Sequence, residues 1–197
     1  TYTLYPWAKD ASGNVSAVFA TPRTVVVDTT APTVSTTVPT SGATAVALNS
    51  SVTINWSENV NCSTVSTKNI TINNGSGFTL SSCLNNQAIF TTSSQAGSTT
   101  YTVTVSTAVT DANGNPMAAG YPFSYTTADV AAPTVTAFTA TTPSTSLSIP
   151  ITSFTATDNS AVTGYKITTS PAAPLAGDPG WNGTPTATYS VGADGTY

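Results

Sequence analysis

Apolar residues in this chain recur at every second position, and nowhere at the three-and-four spacing that gives a helix one buried face. "SVTINWSE" sets Val52, Ile54 and Trp56 between polar neighbours. "NITINN" does the same with Ile70 and Ile72, and "QAIFTT", "YTVTVS" and "YPFSYTT" follow the pattern. A two-residue period sends alternate side chains to opposite faces of a strand, so each segment predicts a half-buried strand. Thr, Val, Ile and Tyr fit a pleated surface, and Ser and Thr together make up about a third of the chain. Gly and Pro fall between the apolar runs, where turns belong. The expectation is an all-β protein.

Two internal repeats organise these strands. "DTTAPTVSTT" (Asp28, Pro32) and "DVAAPTVTAF" (Asp129, Pro133) share an Asp followed four residues later by Pro, and the two prolines stand 101 residues apart. Pro cannot donate to a sheet ladder, so each segment reads as a linker entering an edge strand. Seven or so short strands in about 100 residues match an immunoglobulin-type (Ig-like) β-sandwich, which makes residues 30–130 one continuous domain.

The second repeat pairs "TTYTVTVSTAVTDANGN" with the opening "TYTLYPWAKDASGN". Each runs from a Tyr (Tyr101, Tyr2) to Asp-Ala-x-Gly-Asn (Asp111, Asp10), as a penultimate strand runs into a tight turn before the last strand. The last strands are then "FSYTT" and "RTVVVD". A penultimate strand does not open a domain. The strands that should precede it stand at the other end of the chain: "TVTAF", "SIPITSFTATD", "GYKITTS" and "TATYSV". Overlaying Thr196-Tyr197 on Thr1-Tyr2 joins the ends into a composite of about 94 residues, again one Ig-sized unit.

The expected organisation is two Ig-like β-sandwich domains per repeat, one continuous and one split across the chain ends. Residues 1–29 hold the C-terminal strands of the split domain. Residues 131–197 hold its N-terminal strands, completed by residues 1–29 of the next copy. The junction between copies then falls on Thr1, Tyr2, Leu4, Tyr5, Trp7, Thr196 and Tyr197. The alternative is two complete domains with frayed ends. Pro6, in mid-strand, predicts an edge position or a bulge.

On "APTVSTTVPTSGATAVALNSSVTINWSENVN", "TTYTVTV" and "TDANGNPM", residues 30–130 resemble a bacterial Ig-like domain of surface-layer proteins and large adhesins. The composite domain, carried by "TATDNSAVTGYKIT" and "GTYTLYPWAKDASGNVS", is similar to related fibronectin-type or Ig-like repeats. The resemblance implies tandem repetition in a long extracellular or cell-surface protein, with a spacer or adhesive role and no catalysis.

Charge and chemistry narrow the function classes further. Charged residues are 6% of the chain, against roughly 25% in ordinary soluble domains. With net charge −4 and only Lys9, Arg23, Lys68 and Lys166 as cations, no phosphate-binding surface for nucleic acid is expected. No apolar run approaches the roughly 20 residues of a membrane-spanning helix. The chain has no His, so Ser-His-Asp, Cys-His and His-metal sites are not available, and Glu58 is its single Glu. An enzyme is not expected. Cys62 and Cys83 form a disulfide if the chain is secreted, and are two small buried thiols otherwise. "NNGSGF" reads as a hairpin turn.

The function expected from these features is a structural repeat unit of an extracellular filament or cell-surface stalk, propagated head to tail through identical copies. The rival is a carbohydrate-binding or host-adhesion module, with Tyr5, Trp7 or Trp181 as platforms for a glycan. Alternation puts Tyr2, Leu4 and Ala8 on one strand face, Tyr5, Trp7 and Lys9 on the other, and turns Lys166 outward from Tyr165 and Ile167. Trp181, in "GDPGWNGTP", either meets ligand or folds back over the end of the sandwich. No cofactor is expected, calcium apart. In an Ig-type sandwich the incoming linker, the second-to-third-strand loop and the last-hairpin loop share one pole. Asp28, Glu58 and Asp111 would meet there in the continuous domain. Asp129, Asp158 and the adjoining copy's Asp10 would meet in the composite one, with carboxylates suited to calcium.

Overall fold

A computed structural model describes residues 1–195, so the junction residues Thr196 and Tyr197 lie outside the described residues. Among the described residues there are thirteen strands and no helix. The chain divides into two compact units, Thr1–Gln95 with Thr100–Thr126 and Ala96–Thr99 with Thr127–Tyr197.

In the first unit, eight strands form two four-stranded sheets. They are β3 (Val34–Val38), β4 (Ala43–Val46), β5 (Val52–Trp56), β6 (Ile70–Ile72), β7 (Gly77–Leu84), β8 (Gln87–Ser93), β9 (Thr100–Val105) and β10 (Tyr121–Thr127). One sheet has the order β3-β5-β8-β7 and the other β4-β10-β9-β6. The alternation read from the sequence becomes alternating burial. Val52, Ile54 and Trp56 of β5, Ala88 and Phe90 of β8, Tyr101, Val103 and Val105 of β9, and Phe123 and Tyr125 of β10 join one core. Full burial of such side chains is worth about 1.5–3 kcal/mol each, so this face dominates the stability of the unit. Phe78 stacks on Phe90 with centroids 4.5 Å apart. The edge strands β3 and β7 each carry a register shift, a device that twists an edge away from unwanted pairing.

Cys62 and Cys83 are joined by a disulfide, with Cα atoms 5.7 Å apart and a sequence separation of 21, which ties the segment after β5 to β7. "NNGSGF" is a turn, with Asn74 and Gly75 both at positive φ, but it is not a hairpin. The strands it joins part company: Ile72 pairs with Val103 in one sheet and Gly77 with Ser93 in the other. The turn chemistry was legible and the partners were not, because each strand finds its mate far along the chain.

Ahead of the sandwich stands a two-stranded ribbon, β1 (Tyr2–Leu4) with β2 (Arg23–Val25). The expected longer strand from Tyr2 to Lys9 ends at Leu4. Pro6 cannot donate to a ladder, and pairing resumes only at the Lys9–Val15 bridge. None of residues 1–27 is buried.

The second unit holds β11 (Thr134–Ala140), β12 (Ser148–Thr157) and β13 (Thr188–Ser190) in one three-stranded sheet. Phe154 packs edge-on against Phe138 and Tyr165, with centroids 5.3 Å and 5.1 Å away. "GYKITTS" contributes a single bridge, Tyr165 to Asn182, instead of a full strand. From Ala128 to Gly195 no residue is buried.

Candidate functional site

Two hairpins in the chain carry the same turn on different ladders. In the sandwich, β9 lies antiparallel to β10 with Tyr101 opposite Tyr125, Thr102 opposite Ser124 and Val103 opposite Phe123. In the ribbon, Tyr2 is opposite Val25, Thr3 opposite Thr24 and Leu4 opposite Arg23. The turn that follows each first strand is the same, although it begins eight residues after Tyr2 and ten after Tyr101. Asp10 N–H donates to Asn14 O at 3.0 Å and Asp111 N–H to Asn115 O at 3.0 Å. Each Asp carboxylate accepts the backbone N–H and the side-chain Nδ2 of its Asn at 2.8 Å. Gly13 and Gly114 turn the chain at φ 94° and 97°, where a side chain would be strained. Burial separates the two hairpins: Tyr101 and Val103 are 1% and 0% exposed, Tyr2 and Leu4 64% and 55%. All three residues of β1 are exposed, and so are Tyr5 and Trp7 beyond its end.

The entrances to the two sheets match in another way: in each, the first Val pairs and a register shift follows it. Val34 is opposite Trp56, and Val135 is opposite Ala156. Six residues before each Val stands Asp28 or Asp129, and two residues after each partner stands Glu58 or Asp158. In the sandwich these acids meet a third. Ligand atoms of Asp28, Glu58 and Asp111 all lie within 4.8 Å of one another. The Val60–Asp111 bridge sets the Glu58 loop beside the turn, and the linker is latched to that turn. Asn113 Nδ2 donates to Asp28 Oδ2 at 2.8 Å, and Asn115 Nδ2 to Asp28 O at 3.1 Å.

Electrostatics at this cluster pull in two directions. Burial disfavours the ionised Asp111, yet hydrogen bonds from the Asn115 side chain and from the Asn115, Asn113 and Gly114 amides outweigh it and hold its carboxyl below the usual range. Burial, then the charges of Asp28 and Asp111, push Glu58 up. Glu58 Oε1 is buried without a hydrogen-bond partner among the described residues, and so is Asp158 Oδ2 at the matching position of the second unit. A carboxylate oxygen left this way destabilises the fold unless a cation or a proton reaches it.

Asp129 and Asp158 find no third acid: among the described residues, Asp28, Glu58 and Asp111 form the one such group. The Asp129 carboxyl is held low, first by the Ala131 amide, against burial and with help from Asn159 and Ser98. Asp10 stands apart with its carboxylate given to Asn14, whose side chain is the first cause of its lowered pKa.

The remaining candidates separate. Trp181 folds back: its Nε1 donates to Leu175 O at 2.9 Å, and a Cβ on Gly164 would meet its ring at 3.1 Å. Lys166 does not point to solvent as alternation suggested. Its side chain is 15% exposed, with Nζ 3.8 Å from Asp178 Oδ2 and 5.9 Å from the centre of the Trp181 ring. A charge-bearing tip over an aromatic face explains the departure. The residues that sequence reasoning missed are Asn113 and Asn115. Their place in a tight turn hid the side-chain amides that hold the linker 85 and 87 residues away.

Residues 28–127, about half of the chain, match the profile of the bacterial Ig-like domain. No protein of curated function matches the chain.

Proposed function

The chain belongs to the family of bacterial Ig-like domains, and from that premise we propose that it is a structural repeat unit of an extracellular filament or cell-surface stalk, propagated head to tail. In this reading the ribbon of residues 1–27 completes the second unit of a neighbouring copy. One observation carries it. The sandwich buries a full core, whereas neither residues 1–27 nor residues 128–195 bury a single side chain. A two-stranded ribbon is marginal alone, and a three-stranded sheet needs its apolar face covered. Each segment offers what the other lacks. The disulfide fits the oxidising surroundings of a surface protein. Sedimentation of the full chain over a range of concentrations tests the reading: head-to-tail association gives growing species. A chain that stays monomeric and instead binds glycans would favour the adhesion module. A denaturing gel of native material separates covalent repeats from subunits of 19.9 kDa.

A second reading concerns cations and rests on the orphaned Glu58 oxygen beside Asp28 and Asp111. Asp28, Glu58 and Asp111 would hold calcium, with loop carbonyls and Asn side chains filling its shell of six to eight oxygens. The ion would neutralise three adjacent acids and stiffen the linker at Asp28. Asp129 and Asp158, at the matching positions, would use Asp10 of the adjoining copy as their third ligand.

A further inference from the structure

Resting on the head-to-tail reading above, we propose that the Asp10 turn of one copy docks on residues 158–161 of its neighbour, as the Asp111 turn sits on residues 58–61 of the sandwich. Ala11 N–H donates to the neighbour's Asn159 O, and the neighbour's Ala161 N–H donates to Lys9 O. Asp10 then stands opposite Ser160. The contact asks no pairing of β1 or β2.

Around the turn itself, residues 8–16 and 109–117 match bond for bond. Lys9 bridges Val15, and Thr110 bridges Pro116. Ser16 N–H reaches Ala8 O at 2.8 Å, and Met117 N–H reaches Val109 O at 3.0 Å. Gly13 N–H bonds Asp10 O at 3.1 Å, and Gly114 N–H bonds Asp111 O at 3.3 Å. Each counterpart stands 101 positions further along the chain. In the sandwich the outer edge of this turn is paired. Asn61 N–H donates to Thr110 O at 2.8 Å and Ala112 N–H to Asn59 O at 3.3 Å, on either side of the Val60–Asp111 bridge. The ribbon's turn presents the same edge, Lys9 O and Ala11 N–H, without a backbone partner among the described residues.

The receiving loop is repeated as well. After the Val34–Trp56 pair comes Ser57-Glu58-Asn59, and after the Val135–Ala156 pair comes Thr157-Asp158-Asn159. Both linkers make the same local turn: Thr30 N–H donates to Asp28 Oδ1 and Ala131 N–H to Asp129 Oδ1, each at 3.0 Å. Among the described residues nothing fills the place of the Asp111 turn on this second loop. Asn159 O and Ala161 N–H have no backbone partner there. An open cavity of about 430 Å³ is walled by Asp129, Ser160, Ala161 and Asp158, the residue with the unsatisfied Oδ2. One change within the turn is answered on the loop. Asn113, which reaches Asp28, is Ser12 in the ribbon, and at Asp129 the carboxylate is already held by Asn159 and Ser98. The shorter Ser12 leaves those side chains their room.

Ala11 is the first central residue of the turn that Gly13 N–H closes on Asp10 O, a position that suits Pro, and its own N–H serves no backbone bond within the chain. In the full chain, Ala11→Pro is expected to keep the turn and the melting temperature while weakening assembly about tenfold, the size of one backbone hydrogen bond. Ala11→Gly, which keeps the N–H, is expected to assemble like wild type. A cross-link reads the contact directly. Lys9 and Ala161 take the places of Thr110 and Asn61 on a bonded rung, where Cα atoms stand about 5.5 Å apart, inside the range of about 4.4–6.8 Å that a disulfide spans. Both are exposed in the single chain, so their replacement leaves the fold intact. Lys9→Cys with Ala161→Cys, oxidised and run without reductant, is expected to give a ladder of covalent multiples that collapses on reduction. Lys9→Cys with Thr163→Cys, two residues out of step, is expected to give far less. Assembly undiminished by Ala11→Pro, or a ladder as strong from the shifted pair, overturns this contact and leaves the head-to-tail reading standing. A disulfide closed within one chain overturns the contact between copies. A full chain that never assembles overturns both the contact and the reading.

Discussion

The ribbon of β1 and β2 and the hairpin of β9 and β10 carry one turn motif in two surroundings. They share the Asp–Asn hydrogen bonds of the turn and the Gly with positive φ, though not the ladder spacing. One is sealed against β5 and β8, and the other presents Tyr2, Leu4, Val26 and Val27 to solvent. The difference teaches that alternation and a tight turn are enough to write a hairpin. The apolar face it presents gains its stabilisation only from the layer that covers it. In the sandwich that layer is contiguous in the domain; for the ribbon, the layer proposed above is the β11-β12-β13 sheet of a neighbouring copy, which buries no residue of its own.

The largest expected contrast between the two hairpins is in stability. Tyr101→Ala removes a fully buried aromatic and is expected to destabilise the sandwich by about 3–5 kcal/mol. Tyr2→Ala, at dilutions where the chain is single, is expected to change it by less than about 0.5 kcal/mol and to weaken assembly instead. Urea denaturation followed by Trp fluorescence measures both, and a Tyr2→Ala loss as large as that of Tyr101→Ala would break the comparison. Next in size is the disulfide. Replacing Cys62 and Cys83 together by Ala frees a loop whose closure is worth about 3 kcal/mol, seen as a lower urea midpoint for the sandwich. Assembly through the ribbon should persist, since neither cysteine belongs to it; its loss would tie the two regions together.

The smallest effect concerns the acid cluster. Saturating calcium is expected to raise the melting temperature of the wild-type chain by a few degrees, as binding to the folded state alone must. Glu58→Gln is expected to abolish that rise. In chelator, the same variant should melt slightly higher than wild type, because it removes a charge whose ionisation burial and its neighbours Asp28 and Asp111 oppose. A wild-type transition indifferent to calcium and chelator would remove the ion from the account.

Much of this was legible in the residues. Period-two alternation located β5, β6, β8, β9 and β10, and the doubled Asp-x-x-x-Pro and Asp-Ala-x-Gly-Asn segments fixed where equivalent strands begin and turn. Other features were not legible, for reasons that can be named. Asn74-Gly75 dictates a turn, but whether the flanking strands pair with each other is decided by Val103 and Ser93, remote in sequence. Asp-before-Gly predicts the Asp111 turn, yet nothing in five residues says that Asn113 and Asn115 will also hold Asp28. Lys166 alternated outward on paper and lies over Trp181 in the fold, because a long apolar stem follows whatever aromatic surface is near.

By itself the sequence determined what depends on neighbours along the chain: strand faces from side-chain alternation, and turn geometry from Gly, Asn and the Asp that each tight turn begins with. The Cys62–Cys83 disulfide and the meeting of Asp28, Glu58 and Asp111 were expected from the sequence, whereas tertiary structure alone decided which hairpins are buried and that one carboxylate oxygen of the acid cluster is left unsatisfied. The physical reason is range. Backbone torsions and alternation act over a few residues, whereas desolvation and charge repulsion depend on distance in space. Folding alone sets that distance between residues as far apart in the chain as Asp28 and Asp111.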